Sequence, residues 1–370
     1  MLKERIAEMT RYKQIKSFLD RNNRFLVPTF LLAGTALDYF TFRTISIRTS
    51  FYLLGAYAIV TGAIICFIHI YDEKRNIEGS KLLGYTRLYT PLVLQFLLGN
   101  LLSASLIFYW FSGAISVSWP IILVVAGLMV SNELLRDYFE RRTVQILIFY
   151  FILFSLCSLF LPYGLNSISA FVFVLAGLLS LVLMFGYVKT FSRWLPDVKK
   201  DKRLIWSWVF VIFFAMNALY FFNLIPPIPL SMREAIVAHS VTRTDGNYAL
   251  EIEKQAWYLW LIPGKTDHVN ASDQLVVFTS VFAPANLDTT IVHHWQWYNS
   301  DTHKWVDRGE YSYALVGGRN DGYRGYTMTT NPADGKWRVS VETKRGQVVG
   351  RVRFTVKQTD ETIKLIETIK

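Results

Sequence analysis

Long apolar runs recur through the first 230 residues, and each is long enough to form a membrane-spanning helix. A helix needs about 20 apolar residues to cross about 30 Å of hydrocarbon. Runs of that kind lie at about 25–45, 51–71, 89–111, 115–133, 144–163, 167–188 and 205–225, which predicts seven spans. Ahead of them, Leu2, Ile6, Met9, Ile15, Phe18 and Leu19 recur at three- and four-residue steps, with Lys3, Arg5, Arg11, Lys13 and Lys16 between. That spacing fits an amphipathic helix on the cytoplasmic leaflet, and equally a helix packed on the protein's own loops.

Beyond Leu230 the apolar period changes to two. Candidate strands are 248–253, 257–262, 274–283, 289–298, 303–308, 311–316, 324–330, 335–343 and 347–357, divided by turn signals such as Asp245-Gly246, Asp321-Gly322 and Arg345-Gly346. Many short strands between regular turns indicate a β-sandwich or barrel. The expected fold class is therefore a membrane all-α region of about seven transmembrane helices followed by a C-terminal all-β, sandwich-like domain. Pro226, Pro227 and Pro229 cannot continue a helix and favour a semi-rigid spacer. The expected division is a cytoplasmic amphipathic segment (1–24), a transmembrane domain (25–225), a proline linker (226–230) and an extracytoplasmic β-domain (231–370).

Charge fixes the orientation. Lys and Arg number seven in residues 1–24, four in 72–88, three in 134–143 and six in 189–204, whereas the alternate connections hold only Arg43 and Arg48. This positive-inside bias puts the N-terminus in the cytoplasm and everything after Leu230 outside. Trp110 and Trp119 then fall at the outer interface, and Trp194, Trp206 and Trp208 at the inner one. The net charge of +11 is concentrated between hydrophobic segments rather than on a folded surface, which argues against nucleic acid as a partner. The two cysteines, Cys66 and Cys157, both lie in apolar runs, so the β-domain is expected to be stable without disulfides. No cleavable signal peptide is expected, and the first span would serve as an uncleaved insertion signal. A bacterial cytoplasmic (inner) membrane fits these features.

Within the β-domain a series of motifs appears in fixed order: Val281-Phe282-Ala283-Pro284, His294-Trp295, Gly317-Gly318-Arg319, Gly322-Tyr323-Arg324-Gly325-Tyr326, Gly335-Lys336-Trp337-Arg338-Val339 and Gly350-Arg351-Val352-Arg353-Phe354. Over roughly residues 230–357 this series resembles the bacterial family known as domain of unknown function 2914. The resemblance implies a bacterial source and a self-contained C-terminal module that follows a multi-span membrane region. It supplies no catalytic residues.

The candidate chemistry is sparse. The segment Gly317 to Tyr326 could offer Arg319, Asp321, Tyr323, Arg324 and Tyr326 to a glycan, lipid headgroup or peptide, or it could be a tight hairpin braced by its own Arg and Asp. Trp295 and Trp297 share a strand face, which points to core rather than a sugar platform. His293 and His294 point to opposite faces of a strand and cannot share a metal, so no metal site, cofactor or catalytic residue is expected. In the membrane, Asp38 is the one deep carboxylate, within reach of Arg43 as a salt bridge and otherwise a proton-relay suspect. Gln95, Asn100 and Asn217, with Gly99 and Ser103, fit polar helix packing. The loop carboxylates Asp72, Glu73, Glu133 and Asp137 could bind a divalent ion, although no paired-aspartate motif accompanies them.

Three functions remain. The first is a binding protein embedded in the lipid bilayer, which presents its β-domain to an envelope protein, glycan or lipid. A transporter or channel with an accessory outer domain is the second. The third, a lipid-linked enzyme at the cytoplasmic loops, has the missing nucleophile, metal and phosphate motifs against it.

Overall fold

Apolar residues on all sides of the helices, and alternating ones in the strands, divide the chain into two units that build their cores differently. The computed structural model describes residues 29, 47–73, 81–111, 115–134, 141–195, 198, 201–226, 230–244, 247–253, 265–270, 273–283, 289–315 and 322–370. The first unit takes in most of the helical region; the second runs from Tyr220 to Lys370 and includes the segments Tyr109–Trp119 and Pro162–Ile168.

Six helices are described: α1 (Ile47–Glu73), α2 (Lys81–Phe111), α3 (Ile115–Leu134), α4 (Arg142–Gly164), α5 (Ala170–Trp194) and α6 (Lys202–Phe221). Five of them are long and apolar enough to cross a membrane. The expected count of seven spans is thus corrected to five among the described residues. The expected span 25–45, with Asp38, lies outside them except for Thr29. In α3 the apolar stretch is only Val117–Met129, too short for the hydrocarbon layer, because Ser131, Asn132 and Glu133 follow it. Ser169 caps α5 by accepting from the Val172 amide, and Pro196 follows its end at Leu195.

The helices carry apolar side chains on outward faces, including Ile59, Phe171, Val182 and Phe214, as lipid contact requires. Inside, Gly177 leaves room for the rings of Phe154 and Phe213. The Tyr187 hydroxyl donates to the Gly62 carbonyl at 3.1 Å. Asn100 and Ser103 are buried in α2, and Asn217 in α6 donates within its own helix to the Phe213 carbonyl at 2.8 Å. Gln95 is half-buried. Asp72 is engaged by Arg87 through two hydrogen bonds of 2.9 and 2.7 Å, and Glu73 lies 3.7 Å from Arg142. Both carboxylates belong to ion pairs that tie helix ends together. Glu133 and Asp137 fall where the structure describes no side chains. Cys66 and Cys157 are free thiols.

The second unit contains eleven described strands: β1 (Ser231–Ala238), β2 (Ser240–Thr244), β3 (Asn247–Glu253), β4 (Lys265–Val269), β5 (Gln274–Phe282), β6 (Thr289–Asn299), β7 (Lys304–Leu315), β8 (Tyr323–Thr330), β9 (Gly335–Thr343), β10 (Val348–Gln358) and β11 (Leu365–Ile369). They form sheets in the orders β1-β5-β8, β4-β10-β9-β6-β7 and β11-β3-β2. Val237, Leu275 and Val277 from the first sheet pack on Trp295, Trp337, Val339, Phe354 and Val356 from the second. The opposite side of the first sheet, through Ala238, Val276 and Phe278, packs on Leu250 of the third. The three-stranded sheet β1-β5-β8 is therefore the middle of three layers, which explains why β5 is buried at nearly every position instead of alternating.

Two expected strands, 303–308 and 311–316, are one strand, β7. A register shift at Trp295/Gln296 opposite Asp307 and Gly309 makes a bulge, and Gly309 takes φ 150° there. Close approach also explains two motif glycines. A side chain at Gly325 would enter the ring of Tyr313, and one at Gly350 would strike Met232 where β1 crosses β10.

Candidate functional site

Four adjacent strands of the five-stranded sheet, β10, β9, β6 and β7, carry most of the motif residues, and their alternation sorts those residues onto two faces. The inner face holds His293, Trp295, Trp337 and Phe354, all buried. His293 is hydrogen-bonded at both ring nitrogens, to Thr279 of β5 and Thr327 of β8, each at 2.9 Å. Trp295 donates its indole N–H to the same Thr327 at 2.8 Å, and Thr279 meets the Tyr313 hydroxyl at 2.9 Å. Burial lowers the His293 pKa to about 4 and raises that of Tyr313 to about 12. This network is an inter-sheet clamp of neutral groups. Trp297, half-buried against the same core, donates to the Asp334 carbonyl, as the expectation of core tryptophans requires.

The outer face is polar and continuous. Asp307 accepts from Gln296 at 2.6 Å and from His294 Nε2 at 2.8 Å, and these two contacts hold its carboxyl below the usual range. Gln296 in turn accepts from Nε of Arg338 at 2.6 Å. The Arg338 guanidinium lies 4.2 Å over the ring of Trp305, whose edge meets Tyr298 at 5.2 Å between ring centres. The register sets Arg353 opposite Arg338 and Arg351 opposite Ser340, to which Arg351 donates at 3.0 Å. Three guanidiniums thus crowd one end of the face. Partial burial, and then repulsion from Arg351 and Arg353, lower the pKa of Arg338; burial and Arg353 do the same to Arg351. At the other end Glu342 lies 3.9 Å from His294, and burial raises its carboxyl pKa.

Residues 288–356 match the family model described as Protein of unknown function (DUF2914). The DUF2914 segment therefore supplies β6 through β9 and most of β10, and it contains every residue of this outer face. It is a smaller part of the chain than the region over which the motifs suggested the resemblance. No curated protein matches the chain. Among solved structures, the alkylpurine DNA glycosylase AlkC of Pseudomonas fluorescens, bound to DNA containing an abasic site analogue, aligns with 83% of this chain and 97% of its own. The identity is 12% and the TM-score 0.20, too low to indicate a shared fold.

Of the loop residues expected from the sequence, Arg319 and Asp321 lie outside the described residues. The others stand on β8 and divide between its faces. Tyr323 packs into the core with Ile291 and Val341, while Arg324 and Tyr326 are on the opposite side, where Tyr326 meets the ring of Tyr248. Trp305 is one of the six tryptophans (with Trp257, Trp260, Trp295, Trp297 and Trp337) that the sequence offers for an aromatic sugar platform, whereas Gln296, Asp307, Arg338, Arg351 and Arg353 were not singled out from it as site residues. Their signal was the alternation itself: in Trp337-Arg338-Val339 and Arg351-Val352-Arg353-Phe354 the arginines fall on the face that the core leaves free.

Proposed function

We propose that this protein is a multi-span membrane protein that holds its β unit outside the cytoplasm and binds an acidic glycan of the bacterial envelope on the outer face of β6, β7, β9 and β10. The observation that carries the reading is the convergence of Arg338, Arg351 and Arg353 beside the Trp305–Tyr298 ledge. Planar guanidiniums bind carboxylates through paired hydrogen bonds, and a bound carboxylate would relieve their mutual repulsion. An indole and a phenol ring give a sugar ring an apolar surface to stack on. Gln296, His294 and Asp307 add amide, imidazole and carboxylate groups suited to hydroxyls.

The test is a titration of the full chain, in a neutral detergent, with an oligosaccharide of uronic acids and with its carboxyl-reduced counterpart. The acidic sugar is expected to bind, and Arg338→Gln to weaken it by about tenfold or more, the loss of one charge-assisted contact of roughly 1.5–3 kcal/mol. Equal affinity for the neutral sugar, or indifference to Arg338→Gln, overturns the reading. Binding of anionic lipid vesicles in place of the sugar overturns the glycan in favour of a headgroup.

Support for the outer location is the split of 20 Lys and Arg on one set of connections against two on the other. A phosphatase that works only outside the cytoplasm is expected to be active when fused after Leu230. Activity confined to a cytoplasmic reporter at that junction rejects the orientation.

A further inference from the structure

We propose that His239, Glu253 and Asp267 form a binding site for a divalent transition-metal ion, independent of the glycan face. The three come from separate places in the second unit: the junction of β1 and β2, the end of β3, and the middle of β4. One donor atom from each lies within 4.8 Å of the other two. Atoms so placed can share a centre no more than about 2.8 Å from each, so shifts of up to about 0.7 Å would bring them to the roughly 2.0–2.2 Å of metal–ligand bonds.

Asp267 shares the inward face of β4 with the core residue Val269 and is fully buried; His239 is buried as well. Two carboxylates that converge beside an imidazole in a low-dielectric interior repel one another. A doubly charged cation neutralises both while the neutral imidazole supplies a nitrogen donor. Glu253 is already oriented for this role. Its carboxylate accepts from His268 twice, from the backbone amide at 2.9 Å and from Nδ1 at 2.8 Å, as the supporting partners of a ligating carboxylate do.

A cavity of about 480 Å³ reaches the cluster at His239 alone and is lined by Glu251, Asp273, Asp360 and Glu361, with no Lys or Arg among its described lining residues. Such an acidic mouth concentrates cations. One nitrogen and two carboxylate donors suit zinc or manganese better than calcium, which takes six to eight oxygens.

The experiment uses the full chain in detergent, stripped with chelator and then dialysed against zinc, manganese or calcium alone. One equivalent of zinc or manganese per chain, retained through gel filtration, together with a raised melting temperature, is the expected result. His239→Gln and Asp267→Asn are expected to abolish retention. His268→Gln, which replaces the half-exposed partner of Glu253 and none of the three ligands, is expected to fold normally and weaken ion binding by about 10–100-fold. It keeps the test decisive if the buried variants fail to fold. Failure to retain zinc or manganese, binding of calcium alone, or affinity unchanged in His268→Gln overturns the proposal.

Discussion

Trp295→Ala is expected to cost the β unit about 3–5 kcal/mol, the usual toll for removing a large aromatic side chain from a closed core. Trp295 is fully buried and meets Trp337 and Phe354 edge-on, each at 6.3 Å between ring centres. Its indole N–H also donates to Thr327, which in turn bonds His293, so the substitution opens a cavity and disturbs the clamp between two sheets. Against a typical domain stability of about 5–15 kcal/mol this is a large fraction. Amide hydrogen exchange on the full chain in detergent would show it as lost protection in β6, β9 and β10. Trp297→Ala should cost clearly less, because that ring is only half-buried and one side is covered by Arg308 at 5.0 Å. A difference of less than about 1 kcal/mol between Trp295→Ala and wild type would show that the inner face does not depend on this ring.

The helical region was legible because membrane spans announce themselves through length and composition, both local properties. The exceptions have local causes too: Ser131 to Glu133 shorten the apolar stretch of α3. In the β unit the strongly alternating strands β6, β9 and β10 were readable to within a residue or two. Four strands were not, the short Ser240–Thr244 among them. Ser231–Ala238 begins just after the proline run and shows no clean alternation, since both faces of its sheet are covered. Lys265–Val269 pairs in parallel with β10 across a long separation, and Asp267 sits on its inner face where a core residue would be expected. Leu365–Ile369 is short and mostly exposed, and depends on pairing with β3.

The same distinction between local and long-range order governs the sites. Gly317 to Tyr326 stands out in sequence because glycines and arginines crowd into ten residues. Two of its glycines nonetheless have packing reasons: Gly325 makes room for Tyr313, and Gly322, at φ 88°, passes close to Ser280. Arg338, Arg351, Arg353 and Trp305 stand on three strands and become neighbours only through register. His239, Glu253 and Asp267 are further still from forming a motif, since two strand ends and the middle of β4 must converge before their donors meet. Adjacent His293 and His294 fall on opposite faces, as alternation predicts, one in the core clamp and the other beside Asp307.

Acid should reveal His293 as the second large effect. The ring is held neutral in the fold with a pKa near 4, against about 6.5 in an unfolded chain. Below pH 6.5 the unfolded chain takes up a proton on this residue that the folded chain refuses until about pH 4. Stability from this group is therefore complete above pH 6.5, declines between 6.5 and 4, and levels off below. A shift of that size corresponds to about 3 kcal/mol. Glu342 acts in the opposite sense, because burial raises its pKa and its protonation favours the fold as pH falls. Asp307, whose pKa is lowered, is highly exposed, and its stabilisation fades only under more acidic conditions. The contribution of His293 can be isolated by substitution. His293→Gln retains hydrogen-bonding atoms without a titrating ring, so the variant should be less stable at pH 7 but lose much less on going to pH 4. Hydrogen exchange of β5, β6 and β8 in the full chain, corrected for intrinsic rates, measures both slopes. Parallel decline of wild type and His293→Gln across that window would assign the acid sensitivity to other groups and leave His293 outside the account.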